Sequence, residues 1–217
     1  MKYNNILFDL DGTITEPEKG IINGIIYALN KFGIEVAERS SLHKFIGPPL
    51  RVSFPEFCGF DEEKTEQAIL YYREYYGVNG LVENDVMPGM EGALKRLSNM
   101  GARLFVATSK PEEYAKKILQ NLNLDCYFEI IAGASFDGSR DTKEAVMEYL
   151  MKQANISFGD KKTVMVGDRH FDINGAKAFG MDSIGVLFGY GSREEFEAAG
   201  ATYIVDTAEE MVDIISK

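Results

Sequence analysis

The chain has 217 residues and is 45% hydrophobic, enough to bury one large core or a core with a smaller companion. Its 34 acidic residues outnumber 23 basic ones, and the net charge of −11 argues against nucleic acid polymers and anionic membranes as partners. Cys58 and Cys126 lie far apart with no CxxC or zinc-type spacing, no apolar run reaches the ~20 residues of a bilayer span, and no secretory signal pattern opens the chain, so the expectation is a soluble, cytoplasmic protein without disulfides.

Residues 5–8 form a short apolar strand that ends on Asp9. After Asp11 the period changes: Ile21, Ile22, Ile25, Ile26, Leu29 and Phe32 recur at helical spacing, and Gly33 sits where a helix stops. Turns are expected at Gly47-Pro48-Pro49 and Phe54-Pro55, and a second helix at 61–76, so residues 16–85 read as wholly helical. From Met87-Pro88-Gly89 onward strands and helices alternate. Strands are expected at 103–107, 129–132, 163–166, 183–187 and 203–205, with helices at 90–100, 112–122, 144–154, 172–179, 193–199 and 208–215. This alternation predicts an α/β fold: a doubly wound, mainly parallel Rossmann-like core from residues 1–15 and 86–217, interrupted after its first strand by a helical insertion, 16–85.

Such a sheet builds its crevice at the carboxyl ends of its strands. The residues found there are Asp9 and Asp11 after the first strand, Thr108-Ser109-Lys110 after the second, and Gly167-Asp168 after the fourth, with Asp172 four residues on. Carboxylates crowded together repel unless protons or a cation compensate, and an all-oxygen ligand set points to Mg²⁺. With that charge offset, Asp9 is placed to attack phosphorus and form an aspartyl-phosphate. Asp11 is then the acid that protonates the leaving oxygen and the base that later takes a proton from water. Gly12 allows close backbone approach to a phosphoryl group, while Thr108 and a lysine offset charge on its oxygens.

These residues resemble the haloacid dehalogenase superfamily over nearly the whole chain. Asp9-Leu10-Asp11-Gly12-Thr13-Ile14-Thr15 is similar to its first motif, Thr108 in VATSK to its second, Lys143 in SRDTKEAV to its third, and Gly167-Asp168-Arg169-His170-Phe171-Asp172 to its fourth. The resemblance implies Asp9 as nucleophile, Asp11 as acid and base, and Thr108 and Lys143 as phosphate ligands, with Ser109 beside them. It also implies Mg²⁺ held by the Asp9 side chain, the Asp11 backbone carbonyl and Asp168, with Asp172 outside or weakly bound. Residues 16–85 resemble the family's cap, which closes over the site and chooses the substrate. The second aspartate separates phosphatases from the dehalogenases and phosphonate hydrolases, and FIGPPL, DGSRDTK and FGYGSREE resemble the subgroup described as 5′-nucleotidase-like or phosphoglycolate phosphatase-like.

Plainer readings stand beside these. Thr108 and Ser109 have the chemistry to cap the helix entered through Pro111. Lys110 competes with Lys143 for the phosphate, and Asp172 suits a helix's first turn. His170 is expected on the rim without a role. Arg51 is a candidate specificity residue for a carboxylate or second phosphate, or a surface arginine. Tyr71, Tyr72, Tyr75 and Tyr76 cannot all share one helix face, so most are expected in a core. Gly189 and Gly191 read as a loop, since no GxGxxG opens a helix there. The expected partner is a small phosphorylated metabolite, with the chain a monomer or homodimer. A phosphosugar mutase and a phospho-receiver signalling module are the alternatives.

Overall fold

Strand β1 (Asn5–Phe8) is apolar at consecutive positions because both its faces are covered: Ile6 and Phe8 enter one hydrophobic layer and Leu7 the other. The computed structural model describes residues 1–217. Two short strands, β2 (Thr15–Glu16) and, much later, β3 (Asp85–Val86), pair with each other. The chain divides at these strands into two compact units, residues 1–15 with 86–217, and residues 16–85.

The larger unit alternates α4 (Met90–Asn99), β4 (Arg103–Pro111), α5 (Glu112–Asn121), β5 (Ile130–Ala134), α6 (Lys143–Ala154), β6 (Thr163–Gly167), α7 (His170–Ala178), β7 (Asp182–Val186), α8 (Arg193–Ala199), β8 (Tyr203–Val205) and α9 (Ala208–Ser216). Its six strands are all parallel, in the order β5-β4-β1-β6-β7-β8, so the fold is the doubly wound α/β sheet expected. Leu94, Leu97, Ala115, Leu119, Met211 and Ile215 bring α4, α5 and α9 onto one face. Val146, Met147, Leu150 and Ala176 bring α6 and α7 onto the other. No helix is long and apolar enough to cross a membrane.

The smaller unit holds α1 (Glu18–Lys31), α2 (Leu50–Cys58) and α3 (Glu62–Tyr75), with a 3₁₀ segment at Arg39–Phe45 and a π-helical turn at Tyr76–Gly80. Glu16 and Asp85 lie in strands, so 16–85 is not wholly helical. The turn expected at Phe54-Pro55 is instead inside α2. Pro55 forfeits one backbone hydrogen bond there, and the burial of Phe54 against Phe45 and Phe60 offsets it. Tyr72 and Tyr76 are buried and stacked on each other, while Tyr71 packs on Phe32 and Tyr75 on Tyr27. The tyrosines are packing residues, as expected for most of them.

The pairing of β4 with β5 is irregular at the end nearest Asp9. The two strands pair residue for residue from Phe105↔Ile130 to Thr108↔Gly133, and then Pro111 pairs with Ala134. Three steps of β4 against one of β5 make a bulge that displaces Ser109 and Lys110 from the ladder. The strand expected to end at 107 thus runs on to Pro111. Gly133 makes the bulge possible, because a Cβ there would stand 2.5 Å from the Lys110 carbonyl oxygen and 2.7 Å from Glu112 Cα. Those are backbone atoms and cannot rotate away. Gly133→Ala is therefore expected to lower stability by about 1–3 kcal/mol, read as the shift of a urea unfolding midpoint; an unchanged midpoint would mean that the bulge relaxes freely.

Candidate active site

Asp9 leaves the end of β1 while its N–H still donates to Val166 O of β6 at 2.9 Å, so the backbone beneath the carboxylate belongs to the sheet. The chain then folds back on itself: the amides of Thr13, Ile14 and Thr15 all donate to Leu10 O, at 3.2, 2.8 and 2.9 Å. Gly12 enters this turn with φ +80, and a Cβ on it would lie 2.1 Å from Asp168 Oδ2. Both the left-handed backbone and the close approach require glycine.

Lys143 is the first residue of α6, whose N-terminus is capped by the Thr142 hydroxyl accepting from Ala145 N. Its Nζ lies 2.9 Å from Asp9 Oδ1 and 2.8 Å from Asp172 Oδ1, and donates to Ala107 O at 3.0 Å. An ammonium has three N–H groups, and here each meets an oxygen. Burial works against its charge, but Asp172 and Asp9 outweigh that and hold Lys143 above the ordinary lysine range. Lys143 thus ties Asp9 to Asp172 by charge while its hydrogen bond goes to Ala107 O.

Asp172 is buried in the first turn of α7, where its Oδ2 accepts from Arg169 N at 3.1 Å. Both plain and sharp readings of it hold: it caps the helix and joins the acid group. Asp168, after β6, accepts from Tyr190 N through Oδ2 at 2.9 Å, while its buried Oδ1 has no hydrogen-bond partner. Asp9, Asp168 and Asp172 each bring a carboxylate oxygen within 4.8 Å of the others. Burial, then the charges of Asp9 and Asp172, push the Asp168 carboxyl well above the usual range. Burial, opposed by Lys143 and aided by Asp9, pushes Asp172 up to about 6.

Asp11 turns elsewhere. Its Oδ1 lies 3.0 Å from Lys110 Nζ, with both side chains largely buried. Burial raises this carboxyl above its ordinary value in spite of Lys110. Lys110 and Lys143 are therefore not competitors for one task, because the bulge in β4 sends one to Asp11 and the start of α6 sends the other to Asp9. Thr108 is buried, and its Oγ1 accepts from Lys110 N at 3.2 Å. Neither Thr108 nor Ser109 caps α5, whose N-cap is Pro111 without a side-chain bond. Ser109 sits half-buried in the bulge.

If all four carboxylates (Asp9, Asp11, Asp168, Asp172) are ionised, they exceed the two ammonium groups (Lys110, Lys143) by two negative charges, and without a cation burial favours the protonated forms of Asp11, Asp168 and Asp172. Oxygen-only donors, that residual charge and an orphaned buried oxygen on Asp168 fit a hard divalent cation. The side chains of Asp9, Asp168 and Asp172 are the group that fits it; Asp11 contributes no side-chain oxygen to that cluster.

Several supporting residues are not apparent from the sequence. The loop after β7 packs on Asp168, where a Cβ on Gly189 would lie 2.3 Å from Asp168 Cβ, and Tyr190 supplies the amide. Glu195 of α8 accepts from His170 N at 2.7 Å and Arg169 Nε at 3.1 Å, and His170 Nδ1 is 2.7 Å away, so His170 is a fixed rim residue. The spacing Gly-x-Gly and the acidic start of α8 are the signals that point to them. Arg51 lies in the other unit, where it makes a two-point pair with Glu66 of α3 at 2.6 and 3.1 Å.

Residues 6–186 match the haloacid dehalogenase-like hydrolase family. The chain belongs to it. The chain is 40% identical to a 5′-nucleotidase of Pseudomonas aeruginosa over 96% of its own length and 94% of that protein. It is 37% identical to a protein of Mycobacterium tuberculosis named tyrosine-protein kinase PtkA, over 94% of this chain and 68% of that one. Among solved structures, that of a predicted phosphatase from Clostridium acetobutylicum superposes with a TM-score of 0.95 at 47% identity, covering 100% of this chain and 99% of the other. The resemblance read from the four motifs is thus correct: the chain is a haloacid dehalogenase-like hydrolase, and its relatives include proteins named as phosphatases.

Lys143 dominates the electrostatics, and its removal is testable. Lys143→Met keeps the stem and deletes the charge, leaving Asp9 and Asp172 uncompensated. In chelator, a loss of about 3 kcal/mol is expected near neutral pH. The loss should shrink at about pH 5, where Asp172 is largely protonated. Equal losses at both pH values in urea titrations would refute this account.

Proposed function

We propose that the protein is a Mg²⁺-dependent phosphomonoesterase of small phosphorylated metabolites, working through an aspartyl-phosphate on Asp9. The observation that carries this is the fixed placement of Asp9. It is anchored below by β6 and oriented by Lys143, and it shares a 4.8 Å cluster with Asp168 and Asp172. A second carboxylate two residues on is held apart by its own lysine.

Asp9, Asp168 and Asp172, with the Asp11 carbonyl, would hold Mg²⁺, which would supply the positive charge that lets a carboxylate approach a phosphate dianion. Asp9 is the carboxylate that attacks phosphorus, held in place by Lys143 Nζ and Leu10 N, which both meet its Oδ1. Asp11 gives a proton to the leaving oxygen and, as carboxylate, takes one from the water that cleaves the acyl phosphate. The Gly12 turn and Thr108, both at strand ends, line the phosphoryl oxygens. The helical unit, residues 16–85, is proposed as the cap that selects substrate, with Arg51 a candidate contact once released from Glu66.

The relative named a 5′-nucleotidase brings nucleoside monophosphates to the front of a substrate screen. The relative named a tyrosine kinase favours a second reading, transfer of the phosphoryl group to a protein hydroxyl. Products separate them: free phosphate from a monoester in one case, phosphotyrosine formed from a phosphoryl donor in the other.

Hydrolysis of p-nitrophenyl phosphate is expected with Mg²⁺ and not in chelator, and Asp9→Asn should reduce it at least ~10⁴-fold. Full activity in that variant would remove the covalent mechanism. Stability should report the cation independently. Asp168 and Asp172 are both raised in the folded state, so without metal the folded chain binds more protons than the unfolded one; for Asp172 the contribution to stability falls as pH rises from about 4 to about 6, and Asp168 acts in the same direction. Mg²⁺ needs these groups ionised. Saturating Mg²⁺ should therefore raise the unfolding midpoint more at about pH 7 than at about pH 5, and Asp168→Asn should abolish the difference.

A further inference from the structure

The two oxygens of Asp11 are not equivalent. Lys110 Nζ lies 3.0 Å from Oδ1, and Thr15 Oγ1 is 3.5 Å from the same atom. Lys110 comes to it from the bulge in β4 with its side chain only 5% exposed, and Gly133 leaves the room that the bulge needs. A lysine on an open surface would sweep through many rotamers, whereas this stem is confined along its length.

The geometry points to Lys110 as a positioning residue: it clamps Oδ1 of Asp11, so that Oδ2 is the oxygen that passes a proton to the leaving group and recovers one from water. This rests on the reading of Asp11 as the acid and base. An ammonium can donate to a carboxylate oxygen and, more weakly, to the carbonyl oxygen of a neutral acid, so the contact is available in both halves of the cycle. In the first half, Asp9 bonds to phosphorus, the bond from phosphorus to the leaving oxygen breaks with its electron pair going to that oxygen, and the proton on Asp11 Oδ2 moves there. In the second half, water attacks phosphorus and the bond from phosphorus to Asp9 breaks. Asp9 regains its carboxylate, Asp11 Oδ2 takes the water proton, and phosphate leaves.

A plainer role for Lys110 makes a different prediction. If it touched the phosphoryl group, its loss would affect every monoester alike, since the phosphoryl group is common to all of them. If it aims the proton, its loss matters most where the leaving group needs one. An alkoxide does; p-nitrophenolate, a stable anion, does not.

The test is kcat/KM for p-nitrophenyl phosphate and for an alkyl phosphate that the wild-type protein hydrolyses, measured on wild type, Lys110→Met, Lys110→Arg and Asp11→Asn. This constant covers the steps up to departure of the leaving group, and the ratio of the two values is independent of how much of a variant is folded. Lys110→Met is expected to lose on the order of tenfold or more beyond its loss on p-nitrophenyl phosphate, within the ~10²–10⁴ that a general acid supplies. Lys110→Arg should recover part of that ratio. Equal losses of Lys110→Met on both substrates overturn the clamp. Should Asp11→Asn show the alkyl-selective loss while Lys110→Met does not, the clamp alone fails and the acid–base reading stands. Equal losses in Asp11→Asn overturn both.

Discussion

A single buried ammonium holds this site together. Lys143 bridges the end of β1 through Asp9, the start of α7 through Asp172 and the edge of β4 through Ala107 O, so three elements distant in sequence meet on one atom. In a buried setting such an ammonium persists only if its charge is matched, and here two carboxylates lie within 3 Å of it while Ala107 O accepts from it. Without it, acids within 4.8 Å of one another would be forced apart or protonated.

The second lysine completes a division of labour between two neighbouring aspartates. Asp9 is drawn toward the metal-competent cluster, and Asp11 is drawn away from it by Lys110. Two residues of sequence separation place both carboxylates at one strand end, yet a sharp turn over Leu10 O and a bulge on the adjacent strand give them different surroundings. That is how two chemically identical side chains acquire different tasks. Once ionised, the four acids exceed the two lysines by two charges, which a divalent cation would offset.

Much of the fold was legible because its signals are local. The continuous apolar run Ile6-Leu7-Phe8 marks a strand covered on both faces, and the periodicity of Ile21 to Phe32 marks a helix with one buried side. Where local rules and packing disagreed, packing won: Pro55 suggested a turn, but Phe54 is buried in an aromatic cluster and α2 continues through both. Thr108 looked like a helix cap, and the bulge directs its hydroxyl to Lys110 N instead.

Acid and hydroxyl residues at the strand ends could be read from the chain, because a parallel sheet exposes the residue just past each strand and the order of the elements says which ends share an edge. The pairing of each lysine could not. Lys110 and Lys143 are both basic residues near strand ends, and nothing within several residues of either distinguishes an exposed ammonium from a buried one. The distinction arises from a register shift between β4 and β5 and from the approach of α6 to β1, contacts between segments tens of residues apart. Composition and order thus determined the chemistry on offer, and long-range register decided which charge meets which.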